Sequence, residues 1–189
     1  METLTFSAPL VVGDKTITHE TKLGDGDKAV TRYELRFDLD ALTGDTYSKA
    51  IREASAEAGG GSIPVPITSP AVHAHLAATA IGIDVGQLRG LSAPMFVSII
   101  TVIEQRLIRA ALAKDIAFSA TGNDYLACVR AATVENGGSS IVEPRLSILV
   151  HEQLAMRALG IGREELRARP FDDYAAIANE AQNFLHEAD

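Results

Sequence analysis

Few residues in this 189-residue chain have the type and spacing to do chemistry. Its one cysteine, Cys128, forms no internal disulfide and has no zinc-ligand pattern around it, so a reducing compartment is expected. His73 and His75 lie two residues apart, which on a helix turns them to different faces, and at the matching place further on His151 is followed by Gln153. A paired metal site is therefore not expected, and His73 and His151 read as packing or capping residues. The glycine runs Gly59-Gly60-Gly61-Ser62 and Gly137-Gly138-Ser139-Ser140 lack the Gly-Lys-Ser/Thr of a phosphate loop and read as helix stops. Gly82-Ile83-Asp84-Val85-Gly86 is not placed at the strand-to-helix turn that a dinucleotide site requires. Asp172-Asp173 suits a helix N-terminus, where the macrodipole favours negative charge. The sequence thus predicts no catalytic set, no cofactor and no metal, and the chain is not expected to be an enzyme.

Composition narrows the alternatives. Hydrophobic residues make up 47% and charged residues 22%, an ordinary balance for a folded domain. The formal charge of -8 argues against a nucleic-acid partner, because such binding depends on Lys and Arg displacing counterions. Residues 121–189 hold 11 acidic against 6 basic side chains, and no segment is strongly basic. The N-terminus lacks the basic start and apolar stretch of a secretory signal. The longest apolar window, Met95 to Ile103, is about half the length of a membrane span, so no membrane partner is expected.

The elements that must position these residues follow from an internal repeat. Thr43-Gly44-Asp45-Thr46-Tyr47 returns as Thr121-Gly122-Asn123-Asp124-Tyr125, and the same 78-residue offset holds without a gap to the C-terminus. Gly59-Gly60 falls on Gly137-Gly138, Val72-His73 on Val150-His151, Gly82-Ile83 on Gly160-Ile161 and Leu107 on Leu185; 23 of the 65 pairs are identical. The division expected is an N-terminal hairpin or small sheet over 1–42, helical unit 1 over 43–108, a linker over 109–120 and helical unit 2 over 121–189.

Each unit predicts about four helices. The first begins at a cap on Asp45 or Thr46, or on Asn123 or Asp124, and stops at the glycine run. A proline-containing connector follows, then a helix over 69–81 or 145–159 stopped by Gly82 or Gly160. A short helix over 85–89 or 163–169 leads into a long final helix, with Ser92 as N-cap and Pro94 in its first turn, running through Ile108. Met95 to Ile103 alone reads as a strand, but its aligned partner Asp173 to Ala181 is a good helix and resolves the ambiguity. Before the repeat, 4–12, 16–21 and 33–39 alternate like strands, with a turn at Val12-Gly13-Asp14-Lys15 and a loop tip at Gly24 to Asp27. The fold class expected is mainly α with a small N-terminal antiparallel β-sheet, α+β, carrying two tandem helical repeats.

Several stretches resemble the phage tail assembly chaperones. They are the hairpin Val12 to Thr18; Phe37-Asp38-Leu39-Asp40-Ala41-Leu42-Thr43-Gly44 leading into a helix; Leu76 to Ile83; Leu88-Arg89-Gly90-Leu91-Ser92-Ala93; and the helix ending Gln182-Asn183-Phe184-Leu185. The resemblance covers residues 1 to about 108 and recurs over the helical part of the second unit, with Lys114 to Ser119 as at most a remnant of the strand region. The duplication departs from the family's single unit. The resemblance implies a non-enzymatic protein of the host bacterial cytoplasm, absent from the mature virion, that keeps the tape measure protein soluble and helps recruit tail tube subunits. A structural tail component retained in the particle is the alternative.

A partner surface is expected on the final helix of unit 1. Met95, Phe96, Ile99, Ile100, Ile103 and Leu107 are too many for one narrow apolar stripe. They are expected to meet the other unit of the same chain, a helical client or a second copy of the protein.

Overall fold

Leu35, Phe37 and Leu39 alternate with Glu34, Arg36 and Asp38, and in the computed structural model the first set is buried while Arg36 and Asp38 are exposed. The structure describes residues 1–24, 29–114 and 116–186. The tip expected at Gly24 to Asp27 and residue 115 of the strand remnant fall wholly or partly outside these. Strand β5 (Val30–Phe37) is the middle of an antiparallel sheet, flanked by β1 (Glu2–Phe6) and β4 (His19–Leu23). Leu4 pairs with Leu35 and Phe6 with Tyr33, while Thr21 pairs with Arg32.

The first strand is shorter than its apolar pattern predicts, ending at Phe6 ahead of Pro9, which has no N–H for a ladder. The turn at Gly13 forms as expected, with φ 61°, but it joins β2 (Val11–Val12) and β3 (Lys15–Thr16) into a separate two-stranded ladder. Thr18 helps hold this arm down, its hydroxyl accepting from the Leu10 N–H at 3.1 Å.

The repeat is repeated in structure almost element for element. Helix α1 (Gly44–Glu57) corresponds to α5 (Gly122–Glu135), and α2 (Pro70–Ile81) to α6 (Ile148–Leu159). Then α3 (Val85–Arg89) corresponds to α7 (Arg163–Ala168), and α4 (Ala93–Ala113) to α8 (Phe171–His186). Gly82 and Gly160 end α2 and α6 in the left-handed conformation, at φ 77° and 67°. Among the described residues, then, there are eight α-helices and a three-stranded sheet.

Four helix ends differ from expectation. The caps of α1 and α5 are Thr43 and Thr121, each in a capping box with the residue three on, Thr46 or Asp124. Arg145 lies in a 3-10 turn, Pro144–Leu146, and α6 starts only at Ile148. Helix α4 continues past Ile108 to Ala113, into the expected linker.

One hydrophobic core runs through the sheet and both units. Leu35 and Phe37 from β5, Val72 and Leu76 from α2, Ile99 and Ile103 from α4, and Tyr174 and Ile177 from α8 belong to it. The units meet chiefly through α4 against α8. A smaller cluster joins Cys128 and Ala132 of α5 to Val150 and Leu154 of α6 and Ala181 of α8. The chain is therefore a fused pair of related helical units with a sheet attached to the first.

Candidate partner-binding surfaces

The six apolar residues of the expected partner surface divide into two groups. Ile99, Ile100, Ile103 and Leu107 are buried within the chain, on the helix that packs against α2 and α8. The greater part of the apolar excess on α4 is thus consumed by packing against α2 of its own unit and α8 of the other, and these four are not open to a partner. Met95 and Phe96 are half-buried against the edge of the core. Beside them Val97, which the sequence pattern did not single out, is 53% exposed.

A joint between the units shows what such a surface accepts. The Gly44 N–H donates to the Arg169 carbonyl at 2.8 Å, and the Phe171 N–H donates to the Leu42 carbonyl at 3.1 Å. These bonds pin the start of α1 to the start of α8. The absent Gly44 side chain lets the Tyr174 ring lie against the backbone, where a Cβ would overlap it. Tyr47 then meets Tyr174 edge to face, with centroids 5.8 Å apart.

A buried charge network backs the joint. Glu152 on α6 has a fully buried side chain, and accepts from Arg167 Nε at 2.8 Å and Nη2 at 2.7 Å and from the Tyr174 hydroxyl at 2.5 Å. Arg167 also reaches Glu135 at 3.0 Å, tying α5, α6 and α7 together. The hydrogen-bonded Glu152 carboxylate holds the Arg167 guanidinium above even its usual high pKa, and burial, followed by Glu152, does the same for the Tyr174 phenol. The repeat did not mark Glu152, because its aligned residue in unit 1 is Ala74. Its only sequence trace is a carboxylate on an otherwise apolar helix face.

The histidines serve the backbone in both units. His73 Nε2 donates to the Ile67 carbonyl at 2.9 Å, and His151 Nε2 donates to the Arg145 carbonyl at 2.7 Å, the same bond 78 residues later. Burial pushes the pKa of His73 down and that of His151 down to about 4. His75 instead faces Glu53 and Glu57 on α1, at 3.1 and 3.2 Å. Cys128 is buried against α6, and burial pushes its thiol pKa up, away from nucleophilic use. Asp172 and Asp173 occupy the first turn of α8, where Asp172 accepts from Arg106 at 2.8 Å and Asp173 pairs with Lys114 and Arg169. Both acidic groups therefore already have cationic partners.

Between the units lies an open cleft of about 550 Å³. One wall is Ile51 and Ser55 of α1 with the glycine turn 59–61 and Ile63; the other includes Ile141, Val142 and Leu146 of the second connector with Leu149 of α6. Val142, at 92% exposed, stands out into solvent on that wall. Among the described residues no helix is long and apolar enough to cross a membrane. In comparisons with known proteins, no family model, curated protein or solved structure matches the chain.

Proposed function

We propose that this chain is a non-enzymatic tail assembly chaperone of a phage, acting in the host bacterial cytoplasm. It binds and solubilises the tape measure protein and helps recruit tail tube subunits during tail morphogenesis. The observation that carries the reading is the cleft between the two helical units, with Ile63, Ile141, Val142 and Leu146 along it. An amphipathic helix is held by apolar side chains that its apolar face can cover, and these four supply such contacts in a cleft otherwise edged by polar residues such as Arg52, Asn136 and Glu143. The net charge of -8 keeps a protein with exposed apolar side chains soluble and favours a basic client. The resemblance of Phe37 to Gly44, Leu76 to Ile83 and Leu88 to Ala93 to tail assembly chaperones supports the same reading from the sequence.

Mass spectrometry of purified particles against infected-cell lysate tests the assignment. A chaperone is abundant in the lysate and missing from the particle. Stoichiometric recovery in the particle would replace this reading with that of a structural tail component.

A further inference from the structure

The two units carry the same helix joint, closed once and left open once. In the closed joint, Gly44, Tyr47, Ser48 and Ile51 of α1 are buried against α7 and α8, where Phe171, Tyr174, Ala175 and Ala178 are buried in turn. Moved by 78 residues, the first face becomes Gly122, Tyr125, Leu126 and Val129 of α5, and the second becomes Ala93, Phe96 and Val97 of α4, with Ile100, at the place of Ala178, already buried within the chain. Gly122 and Ala93 are exposed, Leu126 is 53% exposed like Val97, and Tyr125, Val129 and Phe96 are half-buried. A Cβ on Gly122 would meet nothing within 4 Å, whereas one on Gly44 would overlap the Tyr174 ring.

We propose that a second copy of this chain closes the open joint, the α5 face of one molecule seating on the α3/α4 face of another as α1 seats on α7/α8 within the chain. The residues of the open faces have changed together in a way that suits burial. Glu152 and the Tyr174 hydroxyl it accepts from are replaced together, by Ala74 and Phe96, so neither half of that pair is left stranded. Ser48 becomes Leu126, Ala175 becomes Val97 and Arg169 becomes Leu91, each a step towards larger apolar surface at positions a solvent face would fill with polar groups. Gly122 keeps the flat approach that a Phe96 ring needs, and Tyr125 keeps its aromatic partner. The two backbone bonds of the closed joint have counterparts in the Gly122 and Ala93 N–H groups and the Leu91 and Ala120 carbonyls. Arg89 on α3 is already held by Glu57, at 2.6 Å, as Arg167 is held by Glu135. Each chain offers one α5 face and one α4 face, so two joints close a two-fold pair if the rotation allows, and otherwise chains add head to tail.

Sedimentation velocity of the purified full chain over a concentration series tests this without any tape measure protein, so its outcome is separate from the chaperone assignment. The wild-type chain is expected to sediment as a dimer or larger. Gly122→Leu fills the space the Phe96 ring needs, and its Cβ meets nothing within 4 Å in the single chain. It is expected to fold with unchanged thermal melting at concentrations where both proteins are monomeric, and to weaken association by about tenfold or more. Val97→Glu is expected to do the same from the opposite face. A wild-type chain that stays monomeric at every concentration at which it is soluble overturns the proposal, and so does association that survives both substitutions. A monomer that binds an amphipathic helical peptide through Val97 would assign the face to a client instead.

Discussion

Paired residues 78 positions apart give the molecule internal controls. Gly44 and Gly122 both begin a helix, yet only Gly44 is pressed against a ring. Gly44→Ala is expected to destabilise the fold by about 2 kcal/mol, since Tyr174 must move out of a packed core. With the chain dilute enough to be monomeric, Gly122→Ala is expected to be neutral or to stabilise by about 0.5 kcal/mol, through the lost backbone freedom of the unfolded chain. Urea denaturation of the two variants checks the contrast. His151 gives a second expectation at this scale. Its folded pKa of about 4 lies below the ordinary 6.5, so between those values the unfolded chain binds a proton that the folded chain excludes. Stability from this group is complete above pH 6.5 and falls as pH drops through the window, by about 2 kcal/mol between pH 7 and pH 5. His151→Gln is expected to flatten that part of the pH profile of the urea midpoint. The role of both histidines was legible from the sequence, because a lone histidine repeated without its neighbour points to backbone capping rather than to a metal. Glu152 was not legible, because a buried carboxylate is recognised only by the arginine and tyrosine that the fold brings to it.

At the scale of elements, aligning the two copies settled what neither copy settles alone. Met95 to Ile103 has the β-branched residues of a strand, and Asp173 to Ala181 showed that the position is helical, as α4 and α8 bear out. The end of α4 was missed for the complementary reason: no residues of the second unit align with Leu112 and Ala113, although Ala110-Ala111-Leu112-Ala113 favours helix strongly. The caps were misplaced by two or three residues, because Asp45 and Asn123 are good capping types and only the reciprocal bonding of Thr43 with Thr46 and Thr121 with Asp124 decides between them. The apolar face of α4 was legible as an excess but not as a direction. Ile99 is fully buried and Val97 half-exposed, two residues apart on one helix. Ile99→Ala is therefore expected to cost about 3 kcal/mol, and Val97→Ala less than about 0.5, in the same denaturation assay with the chain dilute enough to be monomeric. Equal costs would mean that α4 does not pack against α2 and α8 in this register.

At the scale of the whole molecule, duplication has produced a fused pair in which the copies divide the work. Unit 1 carries the sheet, and its α2 is buried along most of its length; unit 2 carries the charged network and the exposed wall of the cleft. The sequence showed the pairing through its 78-residue offset but not its asymmetry, since α1 reaches across to α7 and α8 while α5 makes no such joint with α3 and α4 among the described residues. That asymmetry leaves the cleft and the open joint as separate surfaces, one assigned to a client and one to a second copy. Co-expression with the cognate tape measure protein addresses the first most directly, by the fraction of that protein recovered soluble and co-purifying with a tagged chain. Most of it is expected in the soluble complex with the wild-type chain, and several-fold less with Val142→Asp, whose exposed position leaves the fold unchanged. A tape measure protein that stays insoluble beside abundant, folded, wild-type chain would contradict the chaperone assignment.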